Sequence, residues 1–145
     1  MDPLQDNLKI TLDHLVLRVS NFDSASDFYR TLFTFSGFSE VSDPDDKRSV
    51  GFRAANGLTL WLEEFPNLII GDSHGWLDHY ALHCESRDEV DKAYQFCKTQ
   101  EWKIISEPKA YPAYGNFYGF SFRGPDNLKL EFVTRAPTKK FVHPI

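Results

Sequence analysis

The chain of 145 residues is long enough for one domain with a proper core, and it is 41% hydrophobic with 13 Phe, 6 Tyr and 3 Trp. This composition excludes a disordered chain and favours a sheet-rich interior. A net charge of −5 argues against nucleic-acid binding, and no apolar run of about 18 residues predicts a membrane span. With no recognisable signal peptide and only two cysteines, we expect a cytoplasmic protein with reduced thiols and a small-molecule partner.

The first half of the chain predicts one strand, one helix and three further strands. In the first strand, His14, Val16 and Arg18 share one face. Gly37 predicts the end of the helix, and Asn56-Gly57 predicts an antiparallel hairpin between the last two strands. The five predicted elements lie at residues 12–20, 21–35, 38–42, 49–53 and 58–64.

The second half predicts the same order of elements. Ser86 and Glu89 have the spacing of a capping box, which predicts the start of a helix. Residues 107–116 are rich in Pro, Gly and Tyr and predict a loop. The predicted strands lie at 77–84, 102–106, 117–123 and 128–133. The last two form a hairpin.

Two copies of one sequence pattern organise the chain. LDHYALHC at 77–84 repeats LDHLVLRV at 12–19, so that His14 and His79 occupy matched positions 65 residues apart. The last hairpins of the two halves also match, with an offset of 70 residues. Because there are only two units, the repeat argues for one pseudo-symmetric domain and against a solenoid.

This repeat predicts an α+β fold of two βαβββ units packed as a pseudo-twofold single domain. Mixed and antiparallel sheet is expected to form a cup, with the helices outside. The domain is predicted at 11–134, with halves at 11–64 and 77–134 and a C-terminal tail at 135–145. Residues 65–76 are the predicted connector.

His14, His79 and Glu131 are the candidate metal ligands. With pseudo-twofold packing, the first strand of each half brings its histidine to one concave surface, and Glu131 joins from the final strand. Glu131 alternates with apolar neighbours and needs a partner. Two imidazoles and one carboxylate leave positions open on a divalent metal, where a substrate binds and is activated.

The chain resembles the vicinal oxygen chelate superfamily, which includes glyoxalase I, fosfomycin-resistance thiol transferases, extradiol ring-cleaving dioxygenases and bleomycin-binding proteins. The resemblance covers about residues 11–134, and its motifs are Asp13-His14, Phe28-Tyr29, Asp78-His79, GPDN at 124–127 and LEF at 130–132. It implies metal ligands on the first and last strand of each half, which fall on His14, His79 and Glu131. It also implies a divalent ion, with Fe, Mn, Ni and Zn as candidates, and a homodimer.

Trp61 falls at the fourth ligand position that the resemblance implies. Glyoxalase-I-like members keep an acidic residue there for proton shuttling, so Trp61 argues against isomerisation, although Glu63 offers a partial substitute. Trp61 is expected either to form a stacking wall for a flat substrate or to belong to the core. Arg18, on the face of His14, is assigned to substrate binding.

His83 and three tyrosines complete the predicted site. His83 shares a strand face with His79 and is predicted to act as an acid or base, although a regular strand carries it too far for the same metal. The alternative is a partly solvated histidine. Tyr111, Tyr114 and Tyr118 are predicted to close the cup and donate to a bound oxyanion, with Tyr118 in a catalytic role. Packing on the sheet rim is the other possibility.

The leading hypothesis is a divalent-metal enzyme that chelates a small substrate through adjacent oxygens. By elimination, oxygen-dependent ring cleavage or thiol addition fits better than isomerisation. The rival hypothesis is a metal-free protein of the bleomycin-resistance type that sequesters an aromatic or cationic drug, and the retained histidines count against it. A third is a regulatory module that has lost the site.

Overall fold

The computed structural model describes residues 8–68 and 77–137, which belong to two units divided between Leu68 and Ile69. Each unit has βαβββ order, which confirms the predicted α+β class and the two similar halves. The first unit contains β1 (His14–Val19), α1 (Phe22–Phe35), β2 (Ser39–Val41), β3 (Val50–Arg53) and β4 (Thr59–Glu64). The second contains β5 (His79–His83), α2 (Arg87–Thr99), β6 (Ile104–Ala110), β7 (Tyr118–Arg123) and β8 (Lys129–Thr134).

Some predicted features fall outside these ranges. They are residues 69–76 of the connector and residues 138–145 of the tail. The prediction of a single domain over 11–134 stays a prediction. Within the described residues, neither helix is long and apolar enough to cross a membrane.

The two sheets have the same topology. Their strand orders are β1-β4-β3-β2 and β5-β8-β7-β6. In each, the first and last strands of the unit pair in parallel, and the remaining neighbours are antiparallel. The connection between the two parallel strands contains the helix and the other two strands of the unit, so it is long enough for a parallel pair.

Alternation along the strands gives each sheet a helix-covered face and a face opposite its helix, which we call the helix-free face. In the first unit the Phe33 and Phe52 rings lie 5.1 Å apart, so Phe52 marks the helix-covered face. In the second unit the rings of Tyr94 and Phe120 lie 5.3 Å apart and mark the same side. The largest fully buried side chains include Tyr29, Phe33, Phe52, Phe120, Phe122, Leu32 and Leu130.

Helix α1 is closed at both ends by local hydrogen bonds. Asn21 Oδ1 accepts a hydrogen bond from the Ser24 amide at 2.9 Å, as its capping position predicts. At the other end, Gly37 has φ +81° and the Phe38 amide donates to the Phe33 carbonyl at 2.8 Å. The Phe33 and Phe38 rings pack 4.7 Å apart. This is a Schellman motif with its usual apolar contact.

Helix α2 ends in the same motif without the glycine. The Trp102 amide donates to the Cys97 carbonyl at 3.1 Å, and Glu101 occupies the left-handed position with φ +62°. At its start, Ser86 Oγ accepts from the Glu89 amide at 3.2 Å. The Glu89 carboxylate in turn accepts from the Glu85 amide at 2.8 Å. The predicted cap is therefore present.

Strand β6 is longer than predicted, and the loop prediction for 107–116 is wrong over its first four residues. Two register shifts separate the pairs of β6 and β7 between Ile104 and Lys109. Such bulges leave extra residues unpaired, and β6 is an edge strand, so the missing N–H of Pro108 costs no ladder bond in the sheet interior. Proline and polar residues at 107–110 are typical of a loop, but an edge strand tolerates them.

Cys84 and Cys97 are buried free thiols. Burial raises the pKa of Cys84 to about 11, and it raises the pKa of Cys97 to about 12. Both therefore act as apolar core residues.

Candidate metal centre and ligand face

The helix-free face of the second unit carries three of the predicted site residues. His79 and His83 lie on β5, and Glu131 lies on β8 beside Ala81. Leu130 and Phe132, the strand neighbours of Glu131, are buried on the opposite side. Strand alternation therefore presents Glu131 and His79 on the same surface.

His79 lies between two carboxylates. Its Nδ1 is 2.6 Å from Asp78 Oδ2, and its Nε2 is 3.0 Å from Glu131 Oε1. A neutral imidazole has one N–H, so it can satisfy only one of these acceptors. Both carboxylates are satisfied when the ring is doubly protonated, or when Nδ1 carries the proton and a cation lies against Nε2 and Glu131.

The separation of this pair is that of a hydrogen bond, and it also matches two ligand atoms of one divalent metal. Ligand atoms at about 2.1 Å from one ion, at a right angle to each other, lie about 3.0 Å apart. Nε2 and Oε1 have this separation. Asp78 holds the opposite ring nitrogen, as a carboxylate commonly does behind a metal-binding histidine. Glu131 Oε2 is 4.0 Å from Lys129 Nζ. These side chains would hold the ion through His79 Nε2 and Glu131.

His14 has the same local arrangement in the first unit. Its Nδ1 is 2.7 Å from Asp13 Oδ2, and its side chain is 56% exposed.

The hydrogen bond from His79 lowers the pKa of Asp78 from its ordinary value. The ring-holding roles of Asp13 and Asp78 were missed in the sequence, although the repeated Asp-His dipeptide was the signal that pointed to them.

The full three-ligand set stays a prediction. Across residues 8–68 and 77–137, no three His, Cys, Asp or Glu side chains form a ready group for a metal ion. His79 and Glu131 form a close pair within the second unit, and His14 belongs to the first.

The helix-free face of the first unit is built in rows across its strands. The middle row contains Val16, Trp61 and Gly51 from β1, β4 and β3. The rows on either side begin at His14 and Arg18, the other two residues of β1 on this face. Arg18 Nε lies 3.6 Å from Glu63 Oε1, and its guanidinium carbon is 4.6 Å from the centroid of the Phe65 ring.

Tyr118 points to the other side of its sheet. Its hydroxyl donates to Asp91 Oδ1 of α2 at 2.6 Å, and the Arg87 guanidinium lies 4.7 Å from the ring centroid. Burial, followed by the bond to Asp91, raises the pKa of Tyr118 to about 12. The shared parity of Tyr118 with the buried Phe120 and Phe122 was the sequence signal for this placement.

Of the remaining predicted residues, His83 and Tyr114 are exposed and Tyr111 is half-buried. His83 is exposed on the same face of β5 as His79. Tyr111 and Tyr114 form an aromatic cluster with Phe117, with ring centroids 5.6 Å and 6.2 Å from it. Tyr114 is 68% exposed. The ring contacts of the two tyrosines are thus with each other, with Phe117 and, for Tyr111, with Lys109 at the end of β6.

A family model for the Glyoxalase/Bleomycin resistance protein/Dioxygenase superfamily matches residues 11–132. The chain belongs to this superfamily. Its fold is similar to that of solved members. A search of curated protein sequences gave no significant match.

Three solved structures illustrate the likeness. A protein from Bacillus halodurans, provisionally described as a glyoxalase, has 21% identity and a TM-score of 0.72, over 85% of this chain and 94% of that one. A glyoxylase/bleomycin resistance protein/dioxygenase domain from Frankia sp. EAN1pec has 18% identity and a TM-score of 0.69, over 88% and 98%. A glyoxalase/dioxygenase from Nostoc punctiforme has 19% identity and a TM-score of 0.66, over 86% and 90%. At these identities the likeness establishes the fold alone.

Within this glyoxalase/bleomycin resistance protein/dioxygenase fold, the two units place different residues at one matched position. Trp61 pairs with Val16 and Gly51 in the first sheet. Glu131 pairs with Ala81 and Ser121 in the second. The matched registers confirm the alignment of the last strands, and they identify Trp61 as the counterpart of Glu131.

Proposed function

We propose that this protein is a divalent-metal-dependent enzyme that chelates a small oxygenated substrate through two adjacent oxygens. The proposed ligands are His14, His79 and Glu131. The contact between His79 Nε2 and Glu131 Oε1, at 3.0 Å, carries the proposal. It places two potential ligand atoms as far apart as two ligands of one metal ion.

The protein's own side chains would prepare this site. Asp13 and Asp78 hold the imidazoles through Nδ1, which leaves each Nε2 as the ligating atom. Glu131 is largely shielded, with 18% of its side chain exposed; Lys129 Nζ lies 4.0 Å from its Oε2, and its Oε1 faces His79 Nε2, where an ion would lie. When bound, a divalent ion supplies Lewis-acid polarisation and orientation of the substrate oxygens.

We infer the reaction class by elimination, from the absence of an acidic residue at position 61, opposite Gly51. Trp61 cannot accept or donate a proton as a carboxylate does, and Glu63, the nearest acidic residue on that face, faces Arg18 at 3.6 Å. Ring-cleaving oxygenation or thiol addition therefore fits this chain better than glyoxalase I isomerisation.

A metal-free binding protein of the bleomycin-resistance type is the second candidate. Trp61 on the helix-free face favours it, because an indole suits an aromatic or cationic guest. In that case the contact between His79 and Glu131 is a simple ion pair of a protonated imidazole.

Metal analysis of protein purified without chelators separates the two. We expect about one divalent ion per chain in the wild type and substantial loss in His14→Ala, His79→Ala and Glu131→Ala. His83→Ala, on the same strand face as His79, is the matched control and should retain the ion. A wild type that carries no ion and gains no thermal stability with Mn, Fe, Ni or Zn would refute the enzyme proposal.

Cellular location and assembly are part of the same proposal. Two buried, unpaired thiols support a cytoplasmic protein. A homodimer rests on the family resemblance, and sedimentation equilibrium tests it: a single species of monomer mass at micromolar concentration would contradict it.

A further inference from the structure

We propose that Trp61 and Gly51 form a stacking floor that selects ligands with a planar aromatic ring. This inference rests on the proposed function, because it names the class of substrate that the same site takes. It assigns Trp61 a binding role and Gly51 the role of positioning the indole.

The indole lies flat against the backbone of β3. A methyl group added at Gly51 would lie 2.7 Å from Trp61 Cε3 and 2.8 Å from Cδ2, both within the six-membered ring. Real side chains do not approach this closely. Only glycine leaves room for the ring to lie face-down here, so the opposite face of the indole is turned away from the sheet.

Trp61 is not part of the core of its unit. Its neighbours on β4, Leu60 and Leu62, are buried on the helix-covered face together with Phe52. Trp61 itself is half-buried on the other side, beside Val16, which is 53% exposed. A large aromatic surface held flat on a partly open sheet face suits a flat guest.

The floor lies one row from a proposed metal ligand. Val16, the parallel partner of Trp61, follows His14 by two strand residues on the same face. This step is about 7 Å. A single ring that carries two adjacent oxygens is of comparable length, so one ligand can reach from the floor toward His14 Nε2.

The two units differ at both members of the pair. In the second unit the position of Trp61 is taken by Glu131, and the position of Gly51 is taken by Ser121, whose hydroxyl lies 2.7 Å from Ser106 Oγ. Where the carboxylate is replaced by an indole, the residue across the strand pair has no side chain. The first unit therefore has an apolar floor, Trp61 on Gly51, where the second unit has the proposed metal ligand Glu131.

Two probes with adjacent oxygens test the inference: 4-nitrocatechol, which has an aromatic ring, and acetohydroxamic acid, which has none. Calorimetric titrations with each are made in the presence and absence of Mn²⁺. Trp61→Leu should weaken 4-nitrocatechol binding about tenfold. It should change acetohydroxamate binding less than twofold. Trp61→Phe should retain most of the affinity, and Gly51→Ala should reproduce the loss because it lifts the indole.

The outcomes separate this inference from the proposed function. Equal weakening of both probes by Trp61→Leu, or no weakening of 4-nitrocatechol, would overturn the stacking floor. Absence of 4-nitrocatechol binding to the wild type would overturn it as well. Affinity that does not respond to Mn²⁺ would count against the metal site alone, because the ring contact with Trp61 requires no ion. If Gly51→Ala fails to fold, the two Trp61 variants still decide the matter.

Discussion

The two helices end in the same motif, and a substitution at the end of α2 tests how much a side chain in the left-handed position costs. Both close with a residue in the left-handed region, Gly37 at φ +81° after α1 and Glu101 at φ +62° after α2. A side chain in this conformation costs about 1–2 kcal/mol, whereas glycine loses about 0.5–1 kcal/mol of extra backbone entropy on folding. Removing an acidic group from a helix C-terminus adds about 0.3 kcal/mol. Glu101→Gly should therefore stabilise the protein by about 1 kcal/mol.

Thermal unfolding followed by circular dichroism measures this gain. At this chain length 1 kcal/mol corresponds to a rise in Tm of about 3–4 °C. Glu101→Gln removes the charge but keeps the strain, so it should give only a small part of the rise. Gly37→Ala is the reciprocal change, and it should lower Tm, although no atom lies within 4 Å of the added methyl group. A Glu101→Gly variant no more stable than Glu101→Gln would refute the reasoning.

Three further changes probe the second unit. Asp78→Asn should weaken Mn²⁺ binding by about 10–100-fold in calorimetric titration while Tm of the metal-free protein changes little, because the carboxylate orients His79; unchanged affinity would contradict this role. Tyr118→Phe should cost about 1 kcal/mol at neutral pH. Because folding raises the Tyr118 pKa to about 12, its contribution is complete below about pH 10 and is lost as the pH rises from about 10 to 12. Denaturant titrations of Tyr118→Phe and wild type should therefore converge over that range, and parallel curves would contradict it. Gly119→Ala would place a methyl group 2.7 Å from the Phe132 carbonyl and from Val133 Cγ1, and it should destabilise by about 2 kcal/mol in the same titration; a neutral effect would show that the strand gives way.

Much of the fold could be predicted from the sequence because periodicity and the repeat agree. Alternation around Glu131 placed its neighbours Leu130 and Phe132 in the core, and the Asn56-Gly57 turn set the hairpin between β3 and β4. The last residues of β6 could not be predicted, because Pro108 and the surrounding polar residues are typical of a loop. Only the edge position and the two bulges make them a strand.

Around the candidate site, the proximity of His79 and Glu131 was easier to predict than the direction of the other side chains. His79 and Glu131 were paired on the basis of the repeat, and they lie in contact. The chemistry of Tyr118 suggests a role in the site, but its parity with Phe120 directs it to α2, where its hydroxyl donates a hydrogen bond to Asp91. The indole of Trp61 gains its flat orientation from Gly51 across the strand pair, and no local pattern reports that register.

The central claim is that His14, His79 and Glu131 bind one divalent ion. Pulsed electron paramagnetic resonance of the Cu²⁺-loaded protein tests it most directly, because the remote ring nitrogen of each coordinated imidazole modulates the echo. Two coordinated imidazoles are expected in the wild type and one in each of His14→Ala and His79→Ala, with two retained in His83→Ala. A wild-type signal without imidazole modulation, or one unchanged by either substitution, would contradict the claim.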